Sequence, residues 1–457
     1  MITELFRKTF RDRAFLKAAA SIAIPVTLQM ILTTVTNMVD TMMIGTLGTA
    51  TISAVGLANK LFFVFALLIF GVHSGTGLLM AQFFGNSDHF HIRKTFGIGL
   101  LINLTAATLY LLFARFAPET AMHIFTDSPE AIAIGTRYLR IVCFCYPLFA
   151  FTSLMSSFLR STRQVRIPVI ASAVSIVTNV TLNYCLIFGK CGFPELGVEG
   201  AAIATVIARF AECFIMFYFC FIRGEILPGK ISDFFGWTKG FLRNFVSHSL
   251  PVIFNEMIWG LGTTMYFVAY GRLGDNAVAA ITISNTITDI MTTAGNGLSS
   301  AASVLLGNEL GSGNLKKADD YSEKLLVTGF SIGLVLGILL YALRYPALSL
   351  FSVTAEVREL AALCVATFAM ILPCIFVNLI IIVGVLRAGG DTKMCFVIDT
   401  CGVWFLAVPL AFLGCLVWKR PIYAVYGMVL LEEVFKTVTG FWRYTKKVWL
   451  RNLSHDV

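Results

Sequence analysis

The sequence predicts an all-α integral membrane protein, with twelve transmembrane helices in two six-helix lobes related by an internal parallel repeat. Three features carry this: an apolar excess no soluble core can absorb, twelve runs of spanning length, and self-similarity at a fixed offset. Of 457 residues, 57% are hydrophobic and 13% charged, about half the charged share of a soluble chain. The surplus apolar surface must face lipid. The 40 Phe and 37 Gly suit helices that pack closely and fill irregular gaps. The net charge of +9 does not point to nucleic acid, because the basic residues sit in short loops beside apolar runs, which is a topology signal.

At about 20 residues per crossing, spans fall near 17–41, 52–80, 95–114, 132–158, 167–188 and 199–222 in the first half. They recur near 245–270, 277–305, 325–343, 360–385, 394–417 and 422–442 in the second. This gives a cytosolic N-terminal tail (1–16), an N-terminal lobe (17–222), a cytosolic interlobe linker (223–244), a C-terminal lobe (245–442) and a cytosolic C-terminal tail (443–457). The start of the chain is basic and runs into a full span without a small-residue cleavage site, so it reads as a tail rather than a removed leader. Loops on the N-terminal side hold 23 Lys and Arg, against 9 on the other side, with Lys60, Arg209 and Lys436 left inside spans. The positive-inside rule then places both termini of a multi-pass protein in the cytosol; the membrane expected is the plasma membrane (bacterial inner membrane).

A shift of 226 residues aligns the chain with itself, ungapped from about residue 25 to 94. Identities include Pro25/Pro251, Gly45/Gly271, Gly48/Gly274, Asn59/Asn285, Gly71/Gly297 and Gly85/Gly311. Matches of Gly, Pro and Asn at a fixed offset are not what chance apolar similarity produces. Six spans per half give both halves the same orientation. Such parallel repeats occur in transporters whose substrate site lies between the halves.

Polar residues inside spans are costly and so mark cavities, partners or function. Gln29, Thr33, Thr36, Asn37 and Asp40 recur at three- and four-residue steps, a polar stripe on an apolar helix. Pro25 below it, and Pro251 in the seventh span, remove a backbone hydrogen bond and offer kinks. Asn179 and Asn183 lie one turn apart in the fifth span, with Thr205 in the next. Amides and a hydroxyl can serve a nearby carboxylate as donors or join it as cation ligands. Such a group can alternatively be a structural ladder. Glu256, Asp289 and Asp399 are further intramembrane carboxylates, each suited to a cavity or to a buried hydrogen bond, and together they favour a cationic substrate. Arg209 and Glu212, at i, i+3, read as a structural pair.

The 11 Cys form no CxxC or metal spacing, and most lie in apolar runs, so they read as reduced packing residues. There is no GxSxG, HExxH or P-loop. An enzyme is not expected, nor a cofactor, and energy must come from an ion gradient or from the substrate's own.

The opening pattern P-x(14)-D-T-x-x-[IV]-G-x-L-G (Pro25, Val39-Asp40-Thr41, Gly45, Gly48), its internal copy, and LRAGGDTK at 386–393 resemble the multidrug and toxic compound extrusion transporters along nearly the whole chain. The resemblance implies a V-shaped pair of lobes and antiport of amphipathic, often cationic compounds against H⁺ or Na⁺, with Asp40 as the coupling carboxylate. It places Asn179, Asn183 and Thr205 among the cation-site oxygens, at a position (183) where several members carry Asp. It matches Glu256 to a seventh-span Glu whose tenth-span Asp partner is replaced here by Asn378. Gln29, Thr33, Asn37, Glu256, Asp289, Asn378 and Asp399 are therefore expected to face a substrate cavity, in a monomer whose partners are a small-molecule substrate and the bilayer. The alternative is a flippase for a lipid-linked saccharide or peptidoglycan precursor, which would want a basic cavity that these acidic positions do not offer.

Overall fold

The computed structural model describes residues 2–351 and 353–455, and every element among them is helical. In lipid no water can satisfy an open backbone, so apolar runs of this length are forced into helices. The order is α1 (Ile2–Arg11), α2 (Arg13–Gly45), α3 (Thr49–Gly85), α4 (His89–Phe116), α5 (Pro118–His123), α6 (Pro129–Val142), α7 (Cys145–Ser161), α8 (Arg166–Phe188) and α9 (Gly197–Phe217). There follow α10 (Ile231–Phe235), α11 (Lys239–Tyr270), α12 (Asp275–Gly311), α13 (Leu315–Leu348), α14 (Ala355–Asn378), α15 (Thr392–Thr400), α16 (Val408–Phe412) and α17 (Ile422–Thr445). Wider π-helical turns extend α14 to Leu386 and join α15 and α16 into one rod ending at Val417.

Eight of these rods are long and apolar enough to cross a membrane, and α6 with α7 makes a ninth that bends by 51° at its break. The remaining long helices, α11, α12 and α17, have the length but lie outside that set. Together they are the twelve crossings of the sequence reading. Starts are fixed by local chemistry: Asp88 accepts from His91 N ahead of α4, and Thr354 accepts from Val357 N ahead of α14. Ser128 accepts from Ala131 N, with Pro129 pre-set for the first turn of α6.

The repeat is visible in backbone geometry. α3 and α12 each run 37 residues, and each is entered through the paired glycines Gly48 (φ 111°) and Gly274 (φ 98°). That region of φ is open to glycine and costly for other residues. At the far ends of the same two helices, Gly85 abuts the Asn308 carbonyl and Gly311 abuts the Gln82 carbonyl, neither leaving room for a Cβ. Gln82 and Asn308 are themselves one repeat apart, as are Gly85 and Gly311. The repeat has kept the glycines because two backbones cross there.

Packing divides the chain into two compact units, one of Met1–Thr27, Ala81–Ser87 and Val246–Val457 and one of Leu28–Met80 and Asp88–Phe245. The division at 245/246 lies beside the expected end of the linker, but residues 1–27 and 81–87 pack with the second half. The change of unit at 27/28 falls two residues after Pro25, inside the continuous α2. Pro251 likewise lies inside continuous α11.

The segments read as tails and linker are folded. In the first unit, Asp12 beyond α1 receives Lys324 of α13 at 2.6 Å, and Phe15 packs at a tilt against Tyr321, ring centroids 5.3 Å apart. At the other end of the chain, Trp449 and Leu453 are fully buried. Gln82 donates to Ala388 O at 2.6 Å and accepts from Leu453 N at 2.6 Å. Asp391 of the GDT loop takes both Nε and an Nη of Arg443 (2.6 and 3.1 Å). That motif is a clasp between the end of the tenth crossing and the C-terminal segment. In the second unit, α10 lies against α4, where Gly97 meets the Phe234 carbonyl and Arg93 Nε donates to Ile226 O at 2.8 Å.

Candidate functional site

The polar stripe of α2, the fifth-span amides and the sixth-span polar groups come together in one unit. α8 and α9 are joined by a short turn and pack closely because α9 presents Gly200, Ala201, Ala204 and Ala208; Gly200 sits against the Leu186 carbonyl. Ser175 Oγ donates to Ala208 O at 3.0 Å and fixes their register. Asn183 Nδ2 then donates to Asp40 Oδ1 at 2.5 Å and to Asn179 Oδ1 at 3.2 Å. Asn179 Nδ2 donates to Thr205 Oγ1 at 3.4 Å, and Thr205 Oγ1 in turn donates to Ala201 O at 2.9 Å. Asn183 Oδ1 is buried and has no hydrogen-bond partner among the described residues. The result is a polar chain ending at one carboxylate, with a spare acceptor beside it.

A second chain runs parallel. Gln29 Nε2 donates to Ser172 Oγ (3.3 Å), Ser172 Oγ to Glu212 Oε1 (3.0 Å), and Arg209 to Glu212 Oε2 (2.8 Å). Arg209 also lies over the Phe149 ring at 5.6 Å. Arg209 and Glu212 thus make the pair that their spacing predicts.

Both chains border a cavity of about 450 Å³ lined by Thr33, Asn37, Asp40, Asn179, Thr205, Arg209 and Glu212, with Phe62, Tyr138 and Tyr146 supplying aromatic walls. Asp40, Arg209 and Glu212 are its charged members. With Arg209 and Glu212 neutralising each other, the cavity is negative when Asp40 is ionised and neutral when it holds a proton. An acidic, aromatic-walled space of this size suits an amphipathic cation. Sequence reasoning missed Ser172, Ser175 and the aromatic walls, whose only signal is small-residue or apolar spacing shared with ordinary packing.

The MatE family model matches residues 25–185 and 251–413, one block in each half of the repeat. The chain belongs to the MatE family. Similar proteins include a probable multidrug resistance protein NorM from Thermotoga maritima, 22% identical, covering 95% of this chain and 93% of its own. Another is the probable multidrug resistance protein YoeA of Bacillus subtilis, 25% identical over 85% of this chain and 84% of its own. Among solved structures, a MOP superfamily transporter from Pyrococcus furiosus superposes with a TM-score of 0.86 at 17% identity, covering 94% and 95% of the two chains. A MATE protein in its bent conformation also scores 0.86 at 17% identity, covering 97% of each.

In this MatE chain the other candidates lie in the first-described unit, and most are engaged by partners from distant helices. Glu256 receives Arg387 at 2.8 Å, and both are buried. Asp399 accepts from Asn255 Nδ2 at 2.9 Å and faces Lys436 at 3.8 Å. Lys436 also faces Glu432 and Glu433, each at 3.5 Å, and Tyr266 OH donates to Glu432 at 2.7 Å. Asn378 Nδ2 donates to Glu433 Oε2 at 2.8 Å and Asn378 Oδ1 accepts from Thr437 at 3.0 Å. Asp289 is exposed. Glu256 and Asp399 thus stand in an ionic network with Arg387 and Lys436, which reach them across the fold, in keeping with the buried-hydrogen-bond alternative that their sequence positions leave open.

Proposed function

We propose that this MatE transporter is a secondary active antiporter that exports amphipathic cations in exchange for H⁺ or Na⁺, with Asp40 as the coupling carboxylate. The observation that carries the reading is the placement of Asp40. Among the described residues it is the one charge on the cavity wall not cancelled by a neighbour, at the end of the Asn183–Asn179–Thr205 chain. Ionised, it attracts a cationic substrate. A proton or Na⁺ on it removes that attraction and expels the substrate, which is competition at one charge and hence exchange. Rotation of the Asn183 amide would turn its spare oxygen toward Asp40, to accept from a protonated carboxyl or to join Asp40, Asn179 and Thr205 around Na⁺. The same charge count speaks against a pyrophosphate-bearing lipid substrate, since Arg209 is already committed to Glu212. Both termini are assigned to the cytosol on the Lys and Arg bias, and the protein is proposed to act as a monomer.

The test is efflux of a fluorescent cationic dye from cells lacking their own pumps. Asp40→Asn should reduce the rate at least about tenfold, the scale of losing one charge-assisted contact of 1.4 kcal/mol or more, at unchanged surface expression. Full efflux from the well-expressed variant would remove Asp40 from the mechanism.

A further inference from the structure

α1 is ten residues long, too short to hold as a helix by itself in water. It is pinned to α13 instead. Thr9 is fully buried, and Lys8 pairs with Asp320 at 2.5 Å. Asp12, which caps α2 by accepting from Phe15 N at 2.9 Å, pairs with Lys324 at 2.6 Å. The other side of the helix is left open. Phe6 and Phe10 stand one turn apart with ring centroids separated by 6.3 Å, and Phe10 is 49% exposed. Arg7 and Arg11 form the next row at the same spacing, followed by Arg13 and Lys17 at the start of α2. All four are exposed, and among the described residues no carboxylate pairs with them. The same end of α13 also holds the end of α17. Tyr444 OH lies 2.8 Å from Ser322 Oγ, and Lys447 pairs with Asp319. There Phe441 and Trp442 are half-exposed, and Lys446 Nζ lies over the Trp442 ring at 3.9 Å. Open aromatic rings beside basic side chains thus flank one end of α13, where α2 begins its crossing and α17 completes its own.

We propose that α1, with the end of α17 beside it, is a docking surface for anionic phospholipid of the leaflet that α2 enters. The membrane is already within reach, because α2 becomes a crossing one turn after Asp12. An aromatic row in water gains nothing, whereas at the headgroup level the rings sink toward the acyl chains and the adjacent basic row meets phosphate. Arginine suits that role because its planar fork donates two parallel hydrogen bonds to phosphate oxygens. The charges decide the lipid. Arg7, Arg11, Arg13 and Lys17 oppose Glu4, the one acid in α1. Such a surface favours a headgroup with net negative charge over a zwitterionic one. On the assigned orientation this is the cytosolic leaflet. Bound lipid would press α1 onto Asp320 and Lys324 and so hold the start of α2 to α13. The inference is independent of Asp40 and of the coupling ion.

The test is native mass spectrometry of the delipidated full-length protein titrated with phosphatidylglycerol or phosphatidylcholine. The wild type should bind phosphatidylglycerol more tightly. Arg7→Gln with Arg11→Gln and Arg13→Gln should weaken the tightest phosphatidylglycerol site about a hundredfold, roughly fivefold per charge. Lys190→Gln with Arg272→Gln and Arg420→Gln removes as much charge from exposed positions in other loops, and should leave that site intact. In the wild type alone, hydrogen exchange over residues 2–11 should slow on adding phosphatidylglycerol and not on adding phosphatidylcholine, a readout that needs no variant to fold. Equal affinity of the wild type for the two lipids, equal losses in the two triple variants, or unchanged exchange over residues 2–11 would overturn the proposal. So would a dimer that only the first triple variant loses, which would assign the surface to a second copy of the chain.

Discussion

Under the proposed function, Asn183 is the residue expected to decide the identity of the coupling ion. Its amide nitrogen lies 2.5 Å from Asp40, so the site has one carboxylate and neutral neighbours. Asn183→Asp adds a second negative charge beside the first, which favours a hard cation with oxygen ligands over a lone proton. The variant should gain Na⁺ affinity by roughly tenfold or more, read as a rise in thermal stability with added NaCl that the wild type shows less. Glu256 poses a different question. Removing one partner of a buried pair leaves a bare charge at a cost of about 3–5 kcal/mol, whereas replacing both by apolar groups is often neutral. Glu256→Gln should therefore lower the melting temperature, and Glu256→Leu with Arg387→Met should restore much of it. Equal destabilisation by the single and the double change would show that the pair is not what holds Glu256.

At the scale of elements, α1 and the C-terminal segment behave as parts of the folded unit. Asp12 is held below the usual carboxylate range, chiefly by the hydrogen bond from Lys324 and next by the Phe15 N–H. Asp320 shares Lys324 at 2.6 Å and also takes Lys8 at 2.5 Å. A carboxylate depressed in the folded state contributes stability above its ordinary value of 3.8, and that contribution is lost as pH falls through the lower folded value. The pair is partly exposed, so its worth is on the order of 1 kcal/mol or less. Hydrogen-exchange protection over residues 2–11, taken relative to the intrinsic rate at each pH, should fall as pH drops below about 4. Asp12→Asn should show faster exchange already at neutral pH.

For the whole molecule, what could be read from sequence was what repeats or stays local. The stripe from Gln29 to Asp40 is helical periodicity, the crossings are runs of apolar residues, and the glycine and proline matches at a shift of 226 mark the halves. Pairings across the fold were not legible: Arg387 lies 131 residues from Glu256, and Lys436 read as an unassigned intramembrane charge. Nor did Trp449 and Leu453 stand out, since two apolar residues in a polar stretch do not reveal the groove that receives them. The division after Thr27 was hidden for the same reason, because α2 is one unbroken helix and only packing shows where its allegiance changes.

The central claim is that substrate and coupling cation compete for the charge of Asp40. The most direct measurement is cation release when a cationic substrate is added to purified protein in weak buffer, with and without Na⁺. The account predicts release of about one H⁺ or Na⁺ per substrate bound, absent in Asp40→Asn. Substrate binding without release from the wild type, or equal release from Asp40→Asn, would contradict it.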